Sequence, residues 1–424
     1  MSQTDNSEAA PRPATALLPA PSRAEVHAVI PPQCFEAKLS TSLRYAALSV
    51  ALTVGTGLLA LWLVPLEWAW LPVWLLYAAI GGTFATGAWV IAHECGHGAF
   101  CDNEPLETSI GFVLHSALLV PYFSWQRSHA IHHAKTNHLL DGETHVPRRV
   151  GTDEGERALR VRRRWGMNAY AGRVIAGRLA FGWPSYLLVG STGGPERGTT
   201  NHFWPWAPFS AALFPTRWKG RVLASSLGVL TTIGLLVWWA LAAGSVAPVL
   251  ALYVGPYLVV NAWLVTYTWL HHTDVNIPHY DREQWSYVRG AFCSVDRPYG
   301  RVFDLLHHRI GSQHVAHHHF ASIPHYRTPL ATEAIARSFP EHYRYDPTPI
   351  LPALGRVASR CCAVAPSPGG WFYLEDRYGP AAVGGYPAAA MDETAALHDT
   401  RADAQAHYPG SAPRLSGGLR SDEQ

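Results

Sequence analysis

Charge is scarce in this chain. Asp, Glu, Lys and Arg make up 15% of its 424 residues, and four long stretches contain none of them: Tyr45 to Val64, Leu71 to Ala92, Val222 to Gly244 and Val249 to Leu270. Buried helices of a soluble core would carry a charged face somewhere along such lengths, whereas a helix crossing a bilayer needs about 20 apolar residues. Four membrane spans are the consequence. The lack of ionisable groups inside them argues against a transporter or proton pump, which buries such groups near the bilayer midplane. A net charge of +2 argues against a nucleic-acid partner. The six cysteines (Cys34, Cys95, Cys101, Cys293, Cys361, Cys362) have neither zinc-ribbon nor secreted-disulfide spacing and are expected to be reduced packing residues. A Gly-rich dinucleotide fingerprint in a βαβ setting is absent as well.

Basic residues are missing from the turns Pro65 to Trp70 and Ser245 to Pro248, while the central region carries Arg148, Arg149, Arg157, Arg160, Arg162, Arg163, Arg164, Arg173 and Arg178. The positive-inside rule then makes the central region and both termini cytosolic. The expected fold is an all-α integral membrane protein with four transmembrane helices in two hairpins, 45–92 and 222–270. Flanking them are a disordered segment 1–24, a cytosolic pre-membrane segment 25–44, cytosolic regions 93–221 and 271–376, and a flexible tail 377–424. Two shorter apolar segments, Ser109 to Phe123 and Leu179 to Gly190, the latter interrupted by Gly182-Trp183-Pro184, are expected to lie in the interface, re-enter partway or cover the site.

Against this background the histidines stand out. His93 and His97 in HECGH, His129, His132 and His133 in HAIHH, and His314, His317 and His318 in HVAHH form three clusters, with His272 in a separate stretch. Residues three and four apart share a helix face, so each cluster aims imidazoles at a common point, and imidazole is the commonest nitrogen ligand of transition metals. One such pair is often accidental; three point to a shared metal site. The topology puts all nine on one side of the membrane, which favours surface-proximal chemistry on a lipid.

HECGHGAF, the run WQRSHAIHHAKTNHLLDGETHVP from Trp125 to Pro147, and HVAHHHFASIPHY from His314 to Tyr326 resemble the three histidine boxes of membrane fatty-acid desaturases, most closely the microsomal-type Δ12 (omega-6) and omega-3 acyl-lipid enzymes. EVHAVIPPQCFE, LHHTDVNIPHYD and YVRGAFCSVDRPYG extend the resemblance over roughly Glu25 to Ile335.

The resemblance implies a cytosolic helical cap holding a di-iron site, with His93, His97, His129, His132, His133, His272, His314, His317 and His318 as ligands and His272 preferred over the adjacent His271. Nine imidazoles over two irons leave four or five per metal, more than one tetrahedral zinc uses. It implies O2-dependent insertion of a cis double bond into a fatty-acyl chain, as Δ12 desaturation of oleate to linoleate. An omega-3 (Δ15) desaturase and a histidine-box hydroxylase, ketolase or conjugase remain open, as does a non-catalytic metal-sensing protein. The substrate would be an oleoyl phospholipid or acyl-CoA, in a tunnel for which the apolar side chains of Ser109 to Phe123 offer walls. No haem-binding HPGG signature is present, so electrons would come from separate cytochrome b5 and its NADH reductase, or from ferredoxin. The N-terminal segment lacks the Arg-rich character of a transit peptide, which favours the endoplasmic-reticulum membrane.

Several residues are left with open roles. Glu94, Asp141, Glu143, Asp274 and Asp304 are candidates to orient histidines by accepting the second N–H, or are ordinary surface carboxylates. His138, His145, His307, His308, His319 and His325 suit supporting or structural roles, and His115 a packed or interfacial one.

Overall fold

The computed structural model describes residues 19–374; the tail 377–424 and most of segment 1–24 lie outside the described residues. Helix α1 (Arg23–Val29) already begins inside that segment, because Ser22 and Glu25 form a reciprocal capping box. There follow α2 (Leu39–Leu63), α3 (Leu71–Gly96), α4 (Glu104–Ala117), α5 (Tyr122–Ala134), α6 (Asp153–Trp165), α7 (Met167–Val189) and α8 (Lys219–Ala242). The short α9 (Ala247–Val249) leads through a π-helical turn into α10 (Gly255–His272), and α11 (Tyr287–Ala291), α12 (Arg301–Leu306), α13 (His314–His319), α14 (Thr328–Ser338) and α15 (Ile350–Arg360) complete the helices. One correction to the all-α expectation is a small antiparallel hairpin, β1 (Val364–Ser367) with β2 (Gly370–Tyr373).

Among the described residues four helices are long and apolar enough to cross a membrane, over Leu39–Leu63, Trp68–Gly96, Thr216–Ala242 and Ala247–His272. The first starts six residues before the expected Tyr45, so part of the expected pre-membrane segment is already helix. At about 1.5 Å per residue, each is long enough for a hydrocarbon core of roughly 30 Å. Helix α3 is the central strut: α2, α4 and α10 all pack on it, through small buried residues such as Ala78, Ala85 and Ala88.

Both shorter apolar segments are helical, the first as a sharply bent pair of the kind that a broken span or a re-entrant turn forms. Ser109 to Phe123 straddles a break between α4 and α5, whose axes meet at 104°. Leu119 takes a left-handed backbone (φ 56°) there, and Pro121 has no N–H to continue the ladder. Leu179 to Gly190 is the uninterrupted end of α7, despite Pro184 inside it. Trp183, Tyr186 and Leu187 bury against the Trp89, Val260 and Leu264 core, and that burial outweighs the hydrogen bond the proline removes.

The third box is mounted on a separate core. Val315 and Ala316 of α13 bury with Val26 and Cys34 from the N-terminal segment and with Ala331 and Ile335 of α14. All six cysteines are free, and five are buried as packing residues.

Candidate metal centre

The first box closes α3 through its own sequence. Gly98 adopts φ +69°, a conformation that favours glycine; its N–H is donated to Cys95 O, and that of Ala99 to Glu94 O, which is a Schellman stop. His93 thus lies in the last turn of the helix and His97 at its cap. Gly96 allows α5 to approach, since a Cβ there would lie 2.6 Å from the Trp125 ring. Trp125 in turn stacks on His129, with ring centroids 4.7 Å apart. The third box is aimed by Asp296, whose buried carboxylate accepts from Val315 N and Tyr343 OH, each at 2.8 Å.

Helical spacing then sorts the imidazoles into two groups. His93, His97, His129, His133 and His317 form one, and His132, His272 and His318 the other; within each, one donor atom per residue lies within 4.8 Å of all the rest. His314 joins the second group, its Nε2 being 3.0 Å from His272 Nε2 and 3.1 Å from His318 Nε2. The pairs four apart, 93/97 and 129/133, serve the first group, and 314/318 the second. Neighbours diverge because successive helical residues point roughly 100° apart. His132 and His133 therefore face different groups, and so do His317 and His318.

The donor chemistry fits two metal ions. In the first group Nε2 atoms lie 3.0 Å apart for His93 and His129, 3.1 Å for His129 and His133, and 3.3 Å for His93 and His97. In the second, His132 and His272 are 3.1 Å apart. Nitrogens bound at roughly 2.0–2.1 Å and at right angles to one another would sit about 3 Å apart. Burial holds His132 down to about 3, and burial with neighbouring imidazoles holds His97 there too and keeps His129, His133, His314, His317 and His318 well below the usual range. These rings are thus neutral near pH 7, the state in which imidazole binds a metal. A cavity lined by Val90, His93, His97, Gln313, His317 and Ile323 opens onto the first group.

His271 stacks on His314, with centroids 4.0 Å apart, and directs its Nε2 to Gly311 O at 3.1 Å rather than to either group. The candidate carboxylates are engaged elsewhere. Glu94 holds His325, accepting from its N at 2.5 Å and its Nδ1 at 2.6 Å; Asp141 lies 3.4 Å from His138; Asp274 pairs with Arg297 at 2.8 Å and Arg356 at 2.7 Å. Asp304 accepts from Ser312 at 2.8 Å. Glu143 is buried, which pushes its carboxyl up to about 8, and it lies 2.9 Å from Tyr186 OH. Among the remaining histidines, His307 bridges Tyr267 OH (2.7 Å) and Thr83 O (2.8 Å), and His308 bonds Ser49 (2.8 Å). His145 packs near His272, with centroids 6.1 Å apart, and His319 against Phe292 at 4.2 Å. His115 is fully buried among Trp89, Tyr122 and Trp125 as a packed residue. Sequence reasoning missed Asp296, inside YVRGAFCSVDRPYG.

Residues 68–348 match the family model described as fatty acid desaturase. The chain is 38% identical to a Delta(12)-fatty-acid desaturase of Arabidopsis thaliana, over 80% of this chain and 86% of that protein. It is 37% identical to an oleoyl-12-hydroxylase of Ricinus communis, over 82% and 89%, and 34% identical to a Delta(12) fatty acid desaturase of Mortierella alpina, over 80% and 86%.

Proposed function

This chain belongs to the fatty acid desaturase family, an oxidoreductase of fatty acids built into a membrane, and from that premise we propose that it introduces the Δ12 double bond into an oleoyl chain, giving linoleoyl lipid. The observation that carries this reading is the convergence of nine histidines into two adjoining groups in a chain whose relatives are named for Δ12 chemistry. His93, His97, His129, His133 and His317 would hold one iron, and His132, His272, His314 and His318 the other. Two irons held there would supply, with O2 as the oxidant, the oxidising power needed to remove hydrogen from an unactivated methylene.

The protein's own residues prepare that chemistry. Neutral buried imidazoles offer lone pairs without first shedding protons. Trp89 and Trp125 stack beside His93 and His129 and so fix those rings. One O2 becomes two waters: two electrons and two protons leave the acyl chain as the C=C forms, and two more of each come from outside. The outside electrons are assigned to cytochrome b5 with its NADH reductase, or to ferredoxin. The spans are arranged as two hairpins, with the histidine-bearing cap and both termini on the cytosolic side of the endoplasmic-reticulum membrane.

The same arrangement serves a 12-hydroxylase, and the Ricinus relative favours keeping that reading in view. Expression in yeast with fatty-acid analysis separates the two. Linoleate is the expected product, 12-hydroxy acid would replace the first reading by the second, and an unchanged profile with a verified electron donor would overturn both.

A further inference from the structure

We propose that Thr136 is a positioning residue that fixes the tautomer of His318 and so presents its Nε2 lone pair to the second metal. The inference rests on the metal reading above and deepens it. Thr136 follows α5 directly and is buried. Its hydroxyl lies 2.7 Å from His132 O and 3.1 Å from His318 Nδ1. A hydroxyl has one proton, and a carbonyl oxygen can only accept, so that proton belongs on the bond to His132. Towards His318 the same oxygen is then an acceptor, and Nδ1 must carry the hydrogen. In a neutral ring this leaves Nε2 unprotonated, the nitrogen that lies 3.1 Å from His314 Nε2.

The backbone around Thr136 is held so that the hydroxyl cannot drift. Trp285 Nε1 donates to Thr136 O at 2.9 Å, and Tyr280 N donates to Asn137 O at 3.0 Å. Thr136 thereby joins the second box, through His132, to the third, through His318. Orienting partners of this kind are commonly worth 10–100-fold in metal affinity.

Thr136→Val keeps the shape and removes the acceptor, whereas Thr136→Ser keeps the acceptor. Iron per chain is to be counted in the full-length protein in nanodiscs, before and after a graded chelator challenge, with the thermal midpoint of the metal-free form measured alongside. Thr136→Val is expected to release about one of two irons at a chelator level about 10-fold lower than wild type, with Thr136→Ser tracking wild type and the metal-free Thr136→Val protein unfolding cooperatively at a modestly lower midpoint, since its buried bond to His132 O is lost. Iron held by Thr136→Val as tightly as by wild type would overturn the inference, as would equal loss from Thr136→Ser. Wild-type protein without iron would overturn the metal reading itself, and this inference with it.

Discussion

The two histidine groups use the same donor atoms and sit in different surroundings. In the first, His97 and His129 are only half-buried, aromatic rings frame the imidazoles, and a cavity opens beside them. In the second, every member is buried, and the support is polar. Arg297 donates from Nε to Leu270 O at 3.1 Å and pairs with Asp274 and Asp346, so an ion lattice grips the end of α10 that carries His272. Arg356 closes that lattice by pairing with both carboxylates. A group beside a small cavity suits access by a molecule the size of O2. A closed group held by charges suits a ligand set that must not shift.

The strongest break in this comparison comes from deleting one imidazole on each side. His317→Ala removes a member of the first group and His132→Ala one of the second, and each is expected to abolish product in membranes that still contain the protein. Product retained in either variant would detach that group from the chemistry.

A smaller and more one-sided effect is expected from Arg297→Met. The buried Asp274 and the half-buried Asp346 would lose one of their two cations, at a cost of about 3 kcal/mol. Thermal unfolding should fall accordingly, and iron should leave the second group before the first. Simultaneous loss from both groups would mean that the lattice supports the whole cap rather than α10.

An effect that vanishes at low pH and grows as pH rises belongs to Glu143→Gln. Burial raises this carboxyl from its ordinary 4.5 to about 8, so the folded protein keeps a proton there that the unfolded chain gives up. Its contribution to stability is full below about pH 4.5 and falls as pH rises to about 8. As an acid, Glu143 can donate to Tyr186 OH while Tyr186 donates to Ser128, 2.8 Å away, and glutamine can do the same through its amide. The variant is expected to match wild type near pH 5 and to gain stability over it towards pH 8, read as a difference in thermal midpoint. A variant less stable than wild type at pH 8 would mean that the ionised carboxylate is needed.

Much of this was legible in the chain itself. Spans could be read because apolar length is a local property, although α3 runs on to Gly96, past the expected Ala92, and stops at Gly98, a signal that was not read. Box spacing likewise gave helical faces for 93/97, 129/133 and 314/318. Ambiguity remained where packing competes with local signals: Pro184 suggested an interruption, yet α7 runs through it against the Trp89 core. Thr136 and Asp296 were passed over because a hydroxyl and a carboxylate reveal their partners only when distant segments meet.

By itself the sequence determined four apolar stretches long enough to cross a membrane and three histidine clusters at helical spacing, because hydropathy and helical periodicity act within a few turns. Only the tertiary structure decided how they divide. Adjacent residues on a helix point roughly 100° apart, so which of His132 and His133, or of His317 and His318, meets which group depends on where α5, α13 and the end of α10 lie in space. The same placement turns His271 to Gly311 and His272 to the second group.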